Sequence, residues 1–191
     1  MDNKWSEFKL RVNIRVPLDK VYPAWATPAG LESWFLRKAA ITCVGGTTGT
    51  AGTAGTAGTT GTTGGAGAAG AAALRPAGSF IQKGDRYEFY WHGYPENLSE
   101  KGIVTAANGT NHFAFTFTKD CPVSVSLCRE CDETIVELVE SGMAVDEATV
   151  LRQYVGDSKG WIFYLTNLKS VLEGGLDLRN CKTELGNVIT A

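Results

Sequence analysis

The sequence predicts an α+β fold in which an antiparallel sheet curls around one long C-terminal α-helix, with two short helices after the first strand. Three observations carry this expectation. One alternating strand and two short helical segments open the chain. Runs of alternating residues, divided by turn signals at hairpin spacing, occupy Asp85 to Val139. Trp161, Leu165, Leu168 and Leu172 then form an apolar stripe at helical spacing.

Phe8, Leu10, Val12 and Ile14 alternate with Lys9, Arg11, Asn13 and Arg15, the pattern of a half-buried strand, and Pro17 ends it. Asp19 is placed to cap a short helix to about Ala26. Thr27 caps a second helix, with Pro28 at its first position, where a missing N–H costs nothing. Leu31, Trp34 and Phe35 share one face of it at i, i+3, i+4.

Ser79 to Gln82 reads as a short strand. In Asp85 to Gly93, Tyr87, Phe89 and Trp91 face one way, and Arg86, Glu88, Tyr90 and His92 the other. Glu100 to Ala107 is the next strand, closed by the turn dipeptide Asn108-Gly109. Phe113, Phe115 and Phe117 alternate with Ala114, Thr116 and Thr118. Val123 to Leu127 and Thr134 to Val139 complete an antiparallel meander. The last helix is expected to begin near Trp161, capped by Asp157 or Ser158, and to end at Gly174-Gly175. Ile162, Tyr164 and Val171 widen its apolar arc, as suits a helix lying across a concave sheet.

Gly45 to Ala73 contains only Gly, Thr and Ala and holds 11 of the 23 glycines. It has no charge, no periodicity and no large side chain, so it buries too little apolar area to offset its ordering entropy. It is not a phosphate-binding loop, because no Gly-Lys-Ser/Thr end and no strand-turn-helix frame accompany it. Each of its letters is also a nucleotide letter, and read as DNA in one frame it encodes valines followed by Gly-Glu-Glu. A natural low-complexity insertion, an engineered linker and an error in the recorded sequence all account for it. Residues 1–180 are expected to form one domain interrupted by this tract, with 181–191 a loose tail.

The chain has 191 residues, 43% of them apolar, with a formal net charge of −2. No basic stripe interleaved with aromatics is present, which argues against nucleic-acid binding. No apolar run reaches the length of a membrane span, and Met1 to Trp5 resembles neither a signal peptide nor a lipidation site. The expectation is a soluble cytoplasmic protein without a cofactor. Cys43, Cys121, Cys128, Cys131 and Cys181 make an odd set, which argues against a disulfide scaffold. Cys128 and Cys131 have the spacing of half a zinc site, with Cys121 a conceivable third ligand. A structural site needs four, so structural or incidental thiols are the preferred reading and no metal is expected.

Three stretches carry a family resemblance: Val21-Tyr22-Pro23-Ala24-Trp25-Ala26-Thr27-Pro28 with Leu31, Trp34 and Phe35; Gly84-Asp85-Arg86-Tyr87-Glu88-Phe89-Tyr90-Trp91; and Gly160-Trp161 with Tyr164-Leu165-Thr166-Asn167-Leu168-Lys169 and Leu172-Glu173. Together with the element order they resemble the START-like (SRPBCC, helix-grip) superfamily, and within it the activator of heat-shock-protein-90 ATPase branch. The resemblance implies a sheet gripping the last helix, often with an apolar ligand between them. The residues matching that cavity are Trp34 and Phe35 at the mouth; Tyr87, Phe89, Trp91, Phe113, Phe115 and Phe117 on the sheet; and Trp161, Tyr164, Leu165 and Leu168 on the helix. The same rows also suit a solid core.

No catalytic residue is assigned. His92 shares a strand face with Glu88 and Tyr90, His112 lies by a turn, and no triad or nucleophile elbow occurs. Tyr87 or Glu137 would serve as an acid or base only by projecting into a cavity. The leading expectation is non-catalytic binding of a small apolar ligand. The first alternative is a protein-interaction module acting on a chaperone ATPase, through charges such as Arg86, Glu88, Glu100 and Lys101. The second is a cyclase- or aromatase-like enzyme, which requires a buried ionisable group at the cavity wall.

Overall fold

The computed structural model describes residues 5–43, 73–143, 146–182 and 184–185. Apart from Ala73, the Gly45–Ala73 tract lies outside the described residues, as does most of the expected tail. Strand β1 (Phe8–Ile14) leads into helices α1 (Leu18–Ala26) and α2 (Pro28–Trp34) and strand β2 (Lys38–Thr42). Strands β3 (Arg86–Tyr90), β4 (Glu100–Ala107), β5 (His112–Phe117), β6 (Cys121–Glu130) and β7 (Glu133–Glu140) follow, then helix α3 (Glu147–Leu172). The seven strands form one antiparallel sheet in the order β1-β7-β6-β5-β4-β3-β2, curled around α3.

β1 shows the expected alternation, and each of its residues pairs with β7, from Phe8 opposite Glu140 to Ile14 opposite Thr134. Thr27 caps α2 by accepting the Gly30 N–H at 2.9 Å. Two hairpins turn through left-handed residues without glycine: Lys119 and Asp120 (φ 56° and 62°) before β6, and Cys131 and Asp132 (φ 47° and 64°) after it. That is the type I′ geometry that suits the strand twist. The Cys128–Cys131 spacing is therefore that of a strand end and its turn. Cys121 opens the same ten-residue strand. At strand rise it lies roughly 30 Å from Cys131, too far to share a metal.

Four expectations need correction. Asp19 does not cap α1: the Pro17 carbonyl accepts from the Lys20 and Val21 N–H groups, and Asp19 sits inside the first turn. Ser79 to Gln82 is not a strand but a connection between turns, its Ile81 N–H donating to the Ala26 carbonyl. α3 does not begin near Trp161 but at Glu147, so Asp157 and Ser158 lie within it rather than capping it. Gly156 and Gly160 look like breaks in sequence, yet the helix passes through both. Finally, Glu100 does not share the outer face of Glu88 and Lys101, because it pairs with Phe89 on the inner face.

Strand β2 was not expected. Its sequence, Lys-Ala-Ala-Ile-Thr, carries little β propensity, and β3 recruits it residue by residue, with Ala39 opposite Phe89 and Ile41 opposite Tyr87. Across the mouth of the tract, Cys43 N–H donates to the Ala73 carbonyl at 2.9 Å and Arg75 N–H to the Ile41 carbonyl at 2.8 Å. The tract thus leaves and rejoins the sheet at one point. Arg75 then forms a two-pronged ion pair with Asp85, which is buried.

The core lies between the sheet, α1, α2 and the C-terminal half of α3. Trp25, Trp34, Phe89, Phe113, Leu138 and Leu168 are fully buried in it. The end of α3 is fastened to β1. The Arg15 backbone N–H and guanidinium both bind Glu173, and Lys169 joins the same carboxylate at 3.0 Å. These bonds hold the Glu173 carboxyl down at about 2. Beyond Gly174 (φ 80°) the chain turns back. Buried Asn167 accepts the Leu178 N–H and donates to the Trp34 carbonyl, both at 2.7 Å. Arg179 donates to the carbonyls of Glu32, Ser33 and Leu36, closing the C-terminal end of α2.

Candidate functional site

The sheet and α3 part around the middle of the helix, beyond the contacts of Gln153 with Cys121 and of Tyr154 with Phe8. There a cleft of about 300 Å³ is lined by Phe35, Trp91, Tyr94, Leu98, Glu100, Phe117, Thr118, Gly156, Asp157, Gly160, Trp161 and Tyr164. Local sequence explains the opening. Gly156 and Gly160 are one turn apart on the helix face toward the cleft, and a Cβ built on either meets no atom within 4 Å. Tyr94 and Leu98, from the loop between β3 and β4, form an exposed lip.

Four of the rings form a closed circuit. Centroid distances are 5.9 Å from Phe35 to Trp91, 6.2 Å from Trp91 to Phe117, 5.4 Å from Phe117 to Trp161 and 5.2 Å from Trp161 back to Phe35. Tyr164 packs edge-on against Phe35 at 4.7 Å.

Of the twelve residues expected to line a cavity, Phe35, Trp91, Phe117, Trp161 and Tyr164 line this cleft. The other seven, Trp34, Tyr87, Phe89, Phe113, Phe115, Leu165 and Leu168, pack with one another and with α1 in the core beneath. Tyr87 stacks on Phe89 at 3.9 Å and donates its hydroxyl proton to the Thr116 carbonyl. Gly102 makes that position available, because a Cβ there would lie 2.5 Å from the Tyr87 hydroxyl. Burial raises the Tyr87 hydroxyl far above the ordinary phenol range. Glu137 pairs with Lys9 and Arg11 on the outer face, remote from the cleft.

A carboxyl pair that no sequence pattern marks lies behind the cleft wall. Glu140, the last residue of β7, is fully buried. Its Oε2 accepts the Trp161 indole N–H at 2.7 Å, and the Asp157 carboxyl is its neighbour. Among the described residues, Glu140 Oε1 and Asp157 Oδ2 are buried without a hydrogen-bond donor. Burial and then the Asp157 charge push Glu140 upward, and burial pushes Asp157 up less. Glu100 is also raised, by burial first and then by Asp157 and Asp120. An isolated Glu at a strand end carries no pattern signal, and Asp157 has the local pattern of a helix cap. The signal that was available is a Glu in register with inward-facing Val136 and Leu138.

A scan against protein-family models finds no match, and a sequence comparison with curated proteins finds none either. Solved structures do match. Protein SSP2350 from Staphylococcus saprophyticus has a TM-score of 0.60 at 16% identity, over 91% of this chain and 96% of that one. DynU16, from the dynemicin biosynthetic locus, has a TM-score of 0.61 at 13% identity; 92% of this chain covers 50% of that chain. The Aha1 dimer from Colwellia psychrerythraea has a TM-score of 0.56 at 15% identity, over 88% of this chain and 97% of that one. At these identities the likeness concerns the fold. The architecture is that of the helix-grip α+β class. No helix among the described residues is long and apolar enough to cross a membrane. No group of three or more His, Cys, Asp or Glu among them is placed to hold a metal.

Proposed function

We propose that the protein binds a small, largely apolar molecule in the cleft between the sheet and α3. The observation that carries this reading is a cleft of about 300 Å³ with the mutually packed rings of Phe35, Trp91, Phe117 and Trp161 in its wall. Pockets of this kind, mostly aromatic with a few polar groups, are the usual form of small-molecule sites, and this one is at the small end of their range. The two glycines support it, since a helix gives up stability at each for open space.

The test is titration with the uncharged fluorophore N-phenyl-1-naphthylamine. Saturable one-to-one binding to the wild type, lost in Gly160→Leu, supports the reading. Absence of saturable binding, or binding that Gly160→Leu leaves unchanged, overturns it. The variant's thermal unfolding, expected at or above the wild-type midpoint, shows that the fold is intact.

A second reading is supported by the fold match to Aha1 and the sequence resemblance to heat-shock ATPase activators. In it, the outer sheet face docks on a chaperone ATPase through Arg86, Glu88 and Lys101, and the cleft is incidental. Retention of the purified ATPase by immobilised protein, lost on charge reversal at Arg86 and Lys101, supports it. No retention counts against it.

A further inference from the structure

The cleft is charged in one sense only. Besides its rings and Leu98, its wall holds two carboxyl groups, Glu100 and Asp157, and no Lys, Arg or His. Among the described residues neither acid makes an ion pair. The nearest cationic influence on Asp157 is Lys119, which tunes it without pairing. A carboxylate held away from bulk water without a counter-ion is costly, and an arriving cation offsets that cost. The surrounding rings act in the same direction, because aromatic faces are negative and attract a cation within about 6 Å of the centroid. An anionic headgroup would meet two like charges and the ring faces together.

Resting on the ligand-binding proposal above, we propose that the cleft takes a small organic cation, an amine or quaternary ammonium on an apolar body, with its charged head at Glu100 and Asp157 and its body against the aromatic circuit. The site would then read both ends of the ligand. Glu100 and Asp157, from β4 and α3, supply the counter-charge, and Phe35, Trp91, Phe117 and Trp161 supply the apolar contact.

The experiment compares three compounds of nearly equal shape: phenethylamine (cation), phenethyl alcohol (neutral) and phenylacetate (anion). Tryptophan fluorescence follows binding at low ionic strength, with wild type, Glu100→Gln and Gly160→Leu. The expected result is phenethylamine at least about tenfold tighter than the alcohol, with phenylacetate weakest, as one desolvated charge contact allows. Glu100→Gln should weaken the amine about tenfold and leave the alcohol unchanged. Equal binding of amine and alcohol, or an equal loss of both in Glu100→Gln, overturns the cation inference while the cleft reading stands. Amine binding that persists in Gly160→Leu overturns the cleft reading itself. No binding of any compound to the wild type overturns both.

Discussion

The indole N–H of Trp161 donates to Oε2 of Glu140 at 2.7 Å, joining the middle of α3 to the end of β7 inside the protein. On the other side of the same carboxyl lies Asp157, one turn earlier on α3. The helix is therefore registered on the sheet by a polar contact at the level of the cleft, and by apolar packing of Leu165 and Leu168 beyond it.

The pH dependence of stability follows from this pair. Burial raises Glu140 from 4.5 up to about 8, so between those values the folded protein binds a proton that the unfolded chain does not. Stability is fully present below the unfolded value and falls as pH rises through the folded one. Urea midpoints measured from pH 5 to 9 should decline with rising pH, and Glu140→Gln should flatten the decline. A wild-type midpoint that rises over this range would contradict the assignment.

Trp161→Phe removes the donor but keeps most of the ring. It leaves Oε2 of Glu140 buried without a partner and should cost about 1–3 kcal/mol by chemical denaturation. Because the indole bond favours the charged carboxylate, the variant should titrate Glu140 still higher.

Gly156→Ala and Gly160→Ala should each stabilise the protein by about 0.5–1 kcal/mol, the difference in helix preference. The new methyl meets nothing in either case. Thermal unfolding measures the gain, and ligand titration should show weaker binding in the same variants.

Arg179 closes the end of α2 with three carbonyl contacts, and its side chain is only 7% exposed. Arg179→Ala should cost about 2–3 kcal/mol, the range for charged hydrogen bonds lost at a buried position. A chain ending at Gly175 should lose at least as much as the substitution.

Cys131 and Asp132 occupy the two left-handed positions of the β6–β7 turn. Replacing them with Asn and Gly, the pair best suited to a type I′ turn, should raise stability by about 1 kcal/mol. Thermal unfolding under reducing conditions is the measurement.

The strands were legible where alternation was strong. Glu100–Ala107 has the bounds expected of it, and Tyr87 with Phe89 faces inward as its period demands. β2 was not legible because Ala39 and Ala40 have no pattern of their own, and pairing with β3 decides their state. The first turns of α3 were hidden by Gly156 and Gly160, whose local cost is met by the packing of Trp161 and its neighbours. The cleft was half legible. Alternation identifies inward-facing rings but not the distance to the opposing surface, so Phe35 and Trp91 at the opening looked no different from Phe89 and Phe113 in the core.

The sequence alone determined the class of fold, the antiparallel meander and the inward faces of its strands, because these follow from periods of two and 3.6 and from turn chemistry that acts over a few residues. The tertiary structure decided which rings pack and which leave a space, and which acids meet. Glu140 and Asp157 are far apart in the chain and adjacent in the fold. Their protonation, and the charge of the cleft beside them, depend on water being excluded there, a property of the assembled structure that no local pattern records.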